Sequence, residues 1–164
     1  MSLELIEARE TENGIAVTFV TERGLEPLEG SCDEIARLAT VSPGGRPHLV
    51  PVTFAVDGDL IYSAVDAKPK TTTRLARLRN IAAEPRVAML ADHYEPDWDL
   101  LWWARADGSA TVLAGAAEMA GPVALLARRY PQYRAAPPRG PVIAVRVERW
   151  TGWAASAGQR GQET

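Results

Sequence analysis

The sequence predicts one mostly β domain, a small antiparallel barrel with helices at its rim. Short apolar segments alternate with Gly, Pro and Asp turn signals, whereas only two segments show helical periodicity. The length of 164 residues suits a single domain, and 46% hydrophobic with 24% charged residues is an ordinary globular composition, which excludes disorder of the whole chain. Five or six strands and two helices on an antiparallel pattern favour the barrel.

The first half of the chain opens with an acidic segment, residues 1–30, and becomes strand-like from Ile35. Within the acidic segment, residues 15–20 have the composition of a strand, and Asn13-Gly14 and Arg23-Gly24 flank them as turn signals. Three further strands are expected at residues 35–42, 46–56 and 60–66, with turns at Pro43-Gly44-Gly45 and Asp57-Gly58-Asp59. Both faces of the middle strand are mostly apolar, so we expect both to be covered.

The second half predicts two helices and three strands. The first helix is capped by Thr71 or Thr72, carries an apolar stripe and ends at Pro85, and the second begins at Gly121-Pro122 and ends at Pro131. Strands are expected at residues 86–91, 100–113 and 142–148. Asp107-Gly108 inside the long strand is either a hairpin turn or a bulge.

Charge is unevenly distributed along the chain. The net charge of −3 argues against a general nucleic-acid binder. Residues 1–34 hold nine acids against two bases, whereas residues 68–86 hold six bases against one acid. A basic cluster inside an acidic protein points to a local anionic ligand such as a phosphate.

Several classes of protein are not expected. No apolar run approaches the roughly 18 residues of a membrane span, and the N-terminus lacks the basic and apolar regions of a signal peptide. Cys32 is the single cysteine, which fits a reducing cytoplasm and, with two histidines, disfavours a zinc site. The acidic loop at residues 92–99 lacks the spacing of a calcium loop, so we expect it to be solvated.

The segment between the third strand and the first helix is the strongest candidate site. It contains Lys68 and Lys70, the two lysines of the chain, followed directly by Thr71 and Thr72. Helix N-termini offer free N–H groups and a partial positive charge, so lysines and hydroxyls there make a phosphate cradle. The same residues also fit a solvated helix start capped by threonine, and both interpretations stay open.

Other residues offer less chemistry. No nucleophilic triad, Walker motif or dinucleotide fingerprint is visible, so no catalytic side chain is assigned. His48 lies on an apolar strand face and is either a satisfied core histidine or a base. Cys32 has acidic neighbours that disfavour a thiolate. Trp102 and Trp103 point to opposite faces of a strand, one into the core and one toward an interface or ligand.

Several groups of residues together resemble a known family. Residues 36–41 and 45–52 with Lys68-Pro69-Lys70 resemble the pyridoxamine 5'-phosphate oxidase-like class. Residues 102–110, 130–134, 140–143 and 149–153 resemble its branch that depends on the deazaflavin coenzyme F420. The resemblance covers about residues 35–156, and it rests on the order and spacing of these groups together.

The resemblance implies a split β-barrel homodimer in which residues 31–156 bind the cofactor and residues 157–164 are a tail. Residues 1–30 depart from similar proteins, which usually open with a short helix, and this acidic segment is an ordered extension, a disordered tail or the result of a mistaken start site. The resemblance also implies that the cofactor phosphate meets Lys68 and Lys70 with Thr71 or Thr72 nearby, and that the tricyclic ring lies along Val50, Pro51, Val52 and Thr53. Pro51 removes one strand N–H, which suits a ring better than a neighbouring strand. Trp103 is the tryptophan taken to meet the cofactor. Similar proteins continue the Trp-Trp segment as one strand, which favours the bulge at Asp107-Gly108.

Three functions remain open. The first is a cytoplasmic reductase that uses reduced coenzyme F420 on a small organic substrate; it accounts for the missing triad, because the cofactor carries the hydride chemistry. The second is an oxidase that binds flavin mononucleotide (FMN) and needs a second phosphate site, for which Arg128, Arg129 and Arg134 are the candidates. The third is a non-catalytic carrier of either cofactor. Nucleic-acid binding is not favoured, because aromatic residues do not interleave with the bases of residues 74–86.

Overall fold

The computed structural model describes residues 4–11, 14–21, 24–30, 35–65 and 75–155. The strands are β1 (Glu4–Thr11), β2 (Gly14–Thr21), β3 (Gly24–Gly30), β4 (Ala36–Val41), β5 (Pro47–Val52), β6 (Ala55–Asp57), β7 (Leu60–Ala64), β8 (Arg86–His93), β9 (Trp102–Leu113) and β10 (Val142–Ala154). The helices are α1 (Ala76–Ala83), α2 (Ala116–Arg129) and α3 (Pro131–Ala135), and a 3-10 turn spans Trp98–Leu100. No helix in these ranges has the length and apolar character needed to cross a bilayer.

Seven of the strands form one antiparallel sheet in the order β5-β4-β8-β9-β10-β7-β6. Its two outer strands, β5 and β6, are separated in the chain by only Thr53 and Phe54. Because three residue steps span about 10 Å at most, the two edges of the sheet must come close together. The sheet is therefore rolled into a split barrel, which confirms the predicted mostly β architecture.

The acidic N-terminal segment is itself a small sheet. Strands β1, β2 and β3 form an antiparallel meander in that order, with β2 covering the strand predicted at residues 15–20. These three strands contain all the described residues between 4 and 30.

The β4–β5 hairpin follows its turn signal. The N–H of Gly45 donates to the Ser42 carbonyl at 2.8 Å, and the N–H of Ser42 donates to the Arg46 carbonyl at 2.9 Å. Gly45 has a positive φ of 75°, which a residue without a Cβ adopts at little cost. The loop is thus a tight turn followed by a left-handed glycine, a common three-residue hairpin connection.

Two expectations for the second strand are wrong. Residues 46–56 do not form one strand, because the chain leaves the edge of the sheet after Val52 and joins the opposite edge at Ala55. The strand is also not covered on both faces, since Leu49 is 64% exposed and Pro51 is exposed on the outer face. Alternation of apolar residues continues through the break, so periodicity alone does not reveal it.

The bulge predicted at Asp107-Gly108 lies on the neighbouring strand. Strand β9 is continuous, and the pairing shifts in β10 between Val147 and Arg149, which leaves Glu148 as the extra residue. A Cβ built on Gly108 would lie 2.1 Å from the Arg146 carbonyl oxygen, so the two backbones approach too closely for a side chain. The glycine therefore marks the site of closest approach between the strands.

Both helix starts differ from their predictions. Helix α1 begins at Ala76 after Leu75, whose backbone is extended and which makes no side-chain cap, so neither Thr71 nor Thr72 caps it. Helix α2 begins at Ala116 and contains Pro122 in its interior. Glu118 accepts a hydrogen bond from the Gly115 N–H at 3.2 Å and thereby fixes the true start. The predicted helix ends before Pro85 and Pro131 are confirmed.

Two apolar clusters form the core of the described residues. The larger fills the barrel and includes Leu38, Met89, Ala106, Ile143 and Val145. The smaller lies between α2 and the barrel and includes Leu126, Tyr130 and Val142. The second cluster anchors the α2–α3 junction beside the break between β5 and β6, which positions the site described next.

Candidate functional site

The outer edge of β5 pairs with no other strand in the described part of the chain. Because the Ser42 N–H donates to the Arg46 carbonyl, alternation turns the backbone groups of residues 48, 50 and 52 toward β4 and those of 47, 49 and 51 outward. Residues 47 and 51 are prolines without an N–H, so Leu49 supplies the single strand donor on this edge. The edge is open, flat and poor in donors.

The predicted ring-lining residues divide between the two sides of β5. Val52 is buried in the barrel core, and Val50 packs against it. Pro51 is exposed on the outer face, and Thr53 lies half-buried where the strand ends. Of the four candidates, Pro51 is therefore the one exposed on the outer face, and Thr53 lies partly accessible at the end of the strand.

Two tyrosines hold the chain where it leaves β5. The Tyr130 hydroxyl accepts from the Phe54 N–H at 3.0 Å and donates to the Phe54 carbonyl at 2.9 Å. The hydroxyls of Tyr133 and Thr53 form a hydrogen bond of 2.8 Å. The two tyrosine rings meet edge to face with centroids 5.5 Å apart, so they act as one packed unit.

Arg129 completes this cluster. Its Nε donates to the Tyr130 hydroxyl at 3.0 Å, and its guanidinium lies 4.8 Å from the centre of the Phe54 ring. A cation held over an aromatic face and tied by a hydrogen bond has little freedom to reach another ligand. Of the second phosphate group considered in the sequence, Arg128 and Arg134 remain exposed, whereas Arg129 is engaged inside the protein.

A buried hydrogen bond fixes α1 to the β4–β5 hairpin. Asn80 and Thr40 are each 2% exposed, and the Asn80 amide Nδ2 donates to the Thr40 hydroxyl at 3.0 Å. The Nδ1 atom of His48 lies 3.4 Å from the same hydroxyl, so this half-buried histidine contacts a polar group of the interior. Helix α1 is therefore held in register with the strand that carries the open edge.

The predicted phosphate-binding residues Lys68, Lys70, Thr71 and Thr72 lie outside the described residues, as does Cys32. The described chain stops at Val65, whose N–H donates to the Pro141 carbonyl at 3.0 Å, and resumes at Leu75. A Cβ on Gly140 would lie 2.7 Å from the Val65 carbonyl oxygen, so the end of β7 is pressed against the chain before β10. Helix α1 begins six residues after Lys70, so the lysine does not directly precede its first turn.

The two neighbouring tryptophans face opposite sides, as predicted. Trp102 is buried in the barrel core, whereas Trp103 is half-buried on the outer face, paired with Asp92 and Trp153. Trp103 shares that face with Pro51, but β5 and β9 are three strands apart, about 14 Å. One chain therefore does not bring Trp103 next to the open edge of β5.

The outer face of the sheet, which includes Pro51 and Trp103, also carries ion pairs. Arg37 pairs with Asp92, and Asp107 accepts from Arg105 at 3.0 Å and from Arg149 at 2.9 Å. The Arg105 Nε and the Thr151 hydroxyl, directly opposite in the register, are buried with no hydrogen-bond partner in the described structure. Buried polar atoms usually have partners, so this face has unmet hydrogen-bonding capacity.

The acidic loop after β8 is mostly exposed, and local hydrogen bonds connect its residues. Glu95 pairs with His93 at 3.0 Å, and the Asp97 carboxylate accepts from the Asp99 N–H at 3.1 Å. Trp98 is 77% exposed at the tip of the loop. Among the described residues, no group of three or more His, Cys, Asp or Glu side chains is arranged to hold a metal.

Sequence reasoning placed Tyr130 and Tyr133 in a segment that resembles the family and offered Arg129 for a second phosphate site, but it did not find their contacts with Thr53 and Phe54 or the Thr40–Asn80 pair. The available signal for the tyrosines was their spacing of three around Pro131, which places both on one side of a new helix start. For Asn80 it was a polar residue beside the apolar stripe of α1. Neither signal names the partner, which lies 40 residues or more away in the chain.

Comparison with known proteins identifies relatives of part of the chain. A segment of 56 residues is 38% identical to 5a,11a-dehydrotetracycline/5a,11a-dehydrooxytetracycline reductase of Streptomyces rimosus. The match takes in 34% of this chain and 38% of the reductase, so it spans little more than a third of either protein.

Solved structures share the fold at low identity. A conserved hypothetical protein from Mycobacterium tuberculosis superposes with a TM-score of 0.62 at 20% identity, covering 80% of this chain and 84% of that one. A FAD-binding protein from Mesorhizobium loti superposes with a TM-score of 0.54 at 17% identity, covering 73% and 85% of the two chains. At these identities the likeness establishes the split barrel.

A family model also matches most of the chain. The model of pyridoxamine 5'-phosphate oxidase matches residues 31–154, which include every strand of the barrel and all three α-helices. The resemblance seen in the residues is thus confirmed over most of the chain, and the protein belongs to the pyridoxamine 5'-phosphate oxidase family.

Proposed function

We propose that this protein is an oxidoreductase that uses reduced coenzyme F420 to reduce a small organic substrate. The family and the partial match to a reductase support oxidoreductase chemistry. The split barrel is a fold that also carries a FAD-binding protein, which supports a tricyclic cofactor. The use of a deazaflavin as the cofactor and the reduction of a small organic substrate are what the proposal adds.

The open edge of β5 is the observation that carries the choice of cofactor. A flavin has a nitrogen at position 5 of its ring that accepts a hydrogen bond, whereas a 5-deazaflavin has a carbon there and accepts none. Hydrogen bonds to ring nitrogens are a main way in which proteins tune flavins. An edge on which Pro51 donates nothing and Leu49 is the single strand donor therefore suits the deazaflavin better.

The residues present fit such a group. Pro51 and Thr53 would lie along the ring, and Lys68 and Lys70 with Thr71 or Thr72 would bind its phosphate. When bound, the reduced cofactor supplies the hydride. The chain itself binds and orients the cofactor and excludes water, which is why a site without a nucleophilic triad is sufficient.

The outer sheet face supports a homodimer. Leu49 is 64% exposed there, and Leu90 and Trp103 lie on the same face two and three strands away. In a pair of chains, the Trp103 of one copy would be free to approach the β5 edge of the other, which one chain alone does not allow. Light scattering should give twice 17.8 kDa, and a monomer at micromolar concentration would contradict this arrangement.

The oxidase that binds FMN and pyridoxamine phosphate is the second candidate. It requires a second phosphate site, and the engagement of Arg129 by Tyr130 and Phe54 removes one of its three candidate arginines. A carrier without turnover is the third, and it differs from the first in showing cofactor binding without substrate reduction.

Titration of the purified protein with F420 and with FMN tests the choice directly. We expect fluorescence quenching to show an F420 dissociation constant at least about tenfold below that of FMN, equivalent to 1.4 kcal/mol. Tighter binding of FMN would favour the oxidase, and binding of neither cofactor would overturn the proposal. Reduction of a panel of conjugated ketones by F420H2 then separates the reductase from the carrier.

A matched pair of variants tests the phosphate site. Lys70→Ala should weaken F420 binding about ten- to a hundredfold, because charge-assisted contacts to phosphate contribute roughly 1.5–3 kcal/mol each. Arg79→Ala changes an exposed cation inside α1 and should alter affinity less than about threefold. Equal small losses in both variants would place the phosphate elsewhere.

A further inference from the structure

We propose that Tyr130 is a positioning residue that sets the ring-lining end of β5 through the Phe54 backbone. The inference rests on the proposed function, since it assigns to a buried hydroxyl the seating of the cofactor ring. Tyr130 itself is 3% exposed and bonds to the Phe54 backbone, so it acts through Phe54 and not by contact with the cofactor.

The need for such a residue follows from the topology. Phe54 lies between β5 and β6, so its N–H and carbonyl have left one edge of the sheet and have not joined the other. Phe54 is 4% exposed, so water does not replace the missing ladder. The hydroxyl of Tyr130 takes both backbone groups at 3.0 and 2.9 Å, which makes one side chain the substitute for a strand partner.

The hydroxyl is used to capacity. It has one proton, donated to the Phe54 carbonyl, and its oxygen accepts from the Phe54 N–H and from the Arg129 Nε. The Arg129 guanidinium in turn packs on the Phe54 ring at 4.8 Å. The backbone and the side chain of Phe54 are thus held from the same helix junction, and a rotation of the chain at this point would break several contacts together.

The same contacts also restrict the open edge of β5. Thr53 directly precedes Phe54, and its hydroxyl is tied to Tyr133 at 2.8 Å on the same packed unit. Pro51 lies two residues before Thr53, and its ring fixes its own φ. The orientation of this end of β5 therefore depends on where Phe54 is held. Loss of the Tyr130 hydroxyl leaves two buried backbone groups without a partner, and the chain must shift to solvate them.

The experiment compares Tyr130→Phe with Tyr62→Phe. Tyr62 packs against the same α2 cluster, and no hydrogen bond of its hydroxyl is seen in the described structure, so the second variant is a matched loss of one hydroxyl. We expect Tyr130→Phe to raise the F420 dissociation constant about five- to twentyfold and to change the fluorescence of the bound cofactor at saturation. Tyr62→Phe should stay within about twofold of the parent. Both are measured well below the melting temperature of each variant.

The outcomes separate the two proposals. A Tyr130→Phe protein that is less stable yet binds F420 with parental affinity and fluorescence would show a structural role alone and overturn the inference. If Tyr130→Phe does not fold, Arg129→Met removes the hydrogen bond from the Arg129 Nε to the Tyr130 hydroxyl and should weaken binding about two- to fivefold, and unchanged affinity there would overturn the inference equally. A parental chain that binds neither cofactor would instead overturn the proposed function on which the role depends.

Discussion

The hydrogen bond between Asn80 and Thr40 joins helix α1 to strand β4, and isosteric substitutions can measure it. Asn80→Leu and Thr40→Val each keep the approximate size of the side chain. Thr40→Val leaves the buried Asn80 amide without this bond, whereas Asn80→Leu leaves the Thr40 hydroxyl with only its longer contact to His48 Nδ1 at 3.4 Å. An unsatisfied buried group costs about 1–3 kcal/mol, whereas replacing both partners by apolar groups is close to neutral. We therefore expect Thr40→Val to lose about 2 kcal/mol of unfolding free energy and Asn80→Leu to lose about 1 kcal/mol, because His48 still contacts the Thr40 hydroxyl in the second variant. The double variant should lose less than the sum by at least about 1 kcal/mol.

Urea denaturation followed by tryptophan fluorescence measures the four proteins of this cycle. A loss of 2 kcal/mol corresponds to a melting temperature lower by about 4–8 °C in a chain of this size. Thr111→Val on the exposed surface of β9 is the control, and it should change stability by less than about 0.5 kcal/mol. Additive losses in the double variant would refute the reasoning, because they would mean that the two side chains do not depend on each other.

Two further predictions concern single residues outside the site. Gly108→Ala should lower the unfolding free energy by more than about 3 kcal/mol or prevent folding, because its Cβ would lie 2.1 Å from a β10 carbonyl oxygen. Gly121→Ala is the control: it has open space around it in α2 and should be neutral or stabilising by up to about 1 kcal/mol. A Gly108→Ala protein with a parental melting temperature would contradict the close approach of β9 and β10. Hydrogen bonds from the Arg86 side chain and backbone lower the pKa of Glu84 from its usual 4.5 to about 2, so the small stabilisation from this exposed pair is present above pH 4.5 and is lost as the pH falls through 2. A carboxyl NMR titration should show this midpoint in the parent and a higher one, between 2 and 4.5, in Arg86→Ala, which keeps the backbone hydrogen bond. A parental midpoint near 4.5 would exclude the pair in solution.

The sequence anticipates those parts of the fold that local patterns determine. Gly45 and Gly58 both have positive φ, and both lie in turns predicted from Pro-Gly-Gly and Asp-Gly-Asp. The strand before Gly45 and the strand after Gly58 were likewise placed within two residues, because apolar alternation is strong there. Local chemistry and tertiary structure agree at these positions.

Features that depend on distant partners are not visible in the pattern. The transfer of the chain from one sheet edge to the other at Thr53-Phe54 leaves the alternation unchanged, since the partner strands alone differ. Gly121-Pro122 has the signature of a helix start, but the alanines and Glu118 before it had already begun the helix. In both cases the local sequence pattern is real, but residues outside that pattern determine where the strand ends and where the helix begins.

The candidate site divides in the same way. Pro51 as a residue that frees the strand edge was predictable, because the missing N–H is a property of the residue itself. The roles of Tyr130 and Asn80 were not, because each consists of a bond to a segment 40 or more residues away. The lysines that motivated the phosphate assignment remain a prediction that the binding experiments above test.

The placement of β5 and β6 at opposite edges of one sheet also constrains how the chain reaches its native state. Strand β7 pairs with residues 142–146 of β10, some eighty positions downstream, so the barrel cannot close until nearly the whole chain has been synthesised. During translation, the hairpins on either side of Thr53-Phe54 have unpaired edges, and unpaired edges favour association between nascent chains. Pro47 and Pro51 interrupt the donors along one of those edges, so residues that leave room for a ligand in the finished protein also protect the unfinished one from aggregation.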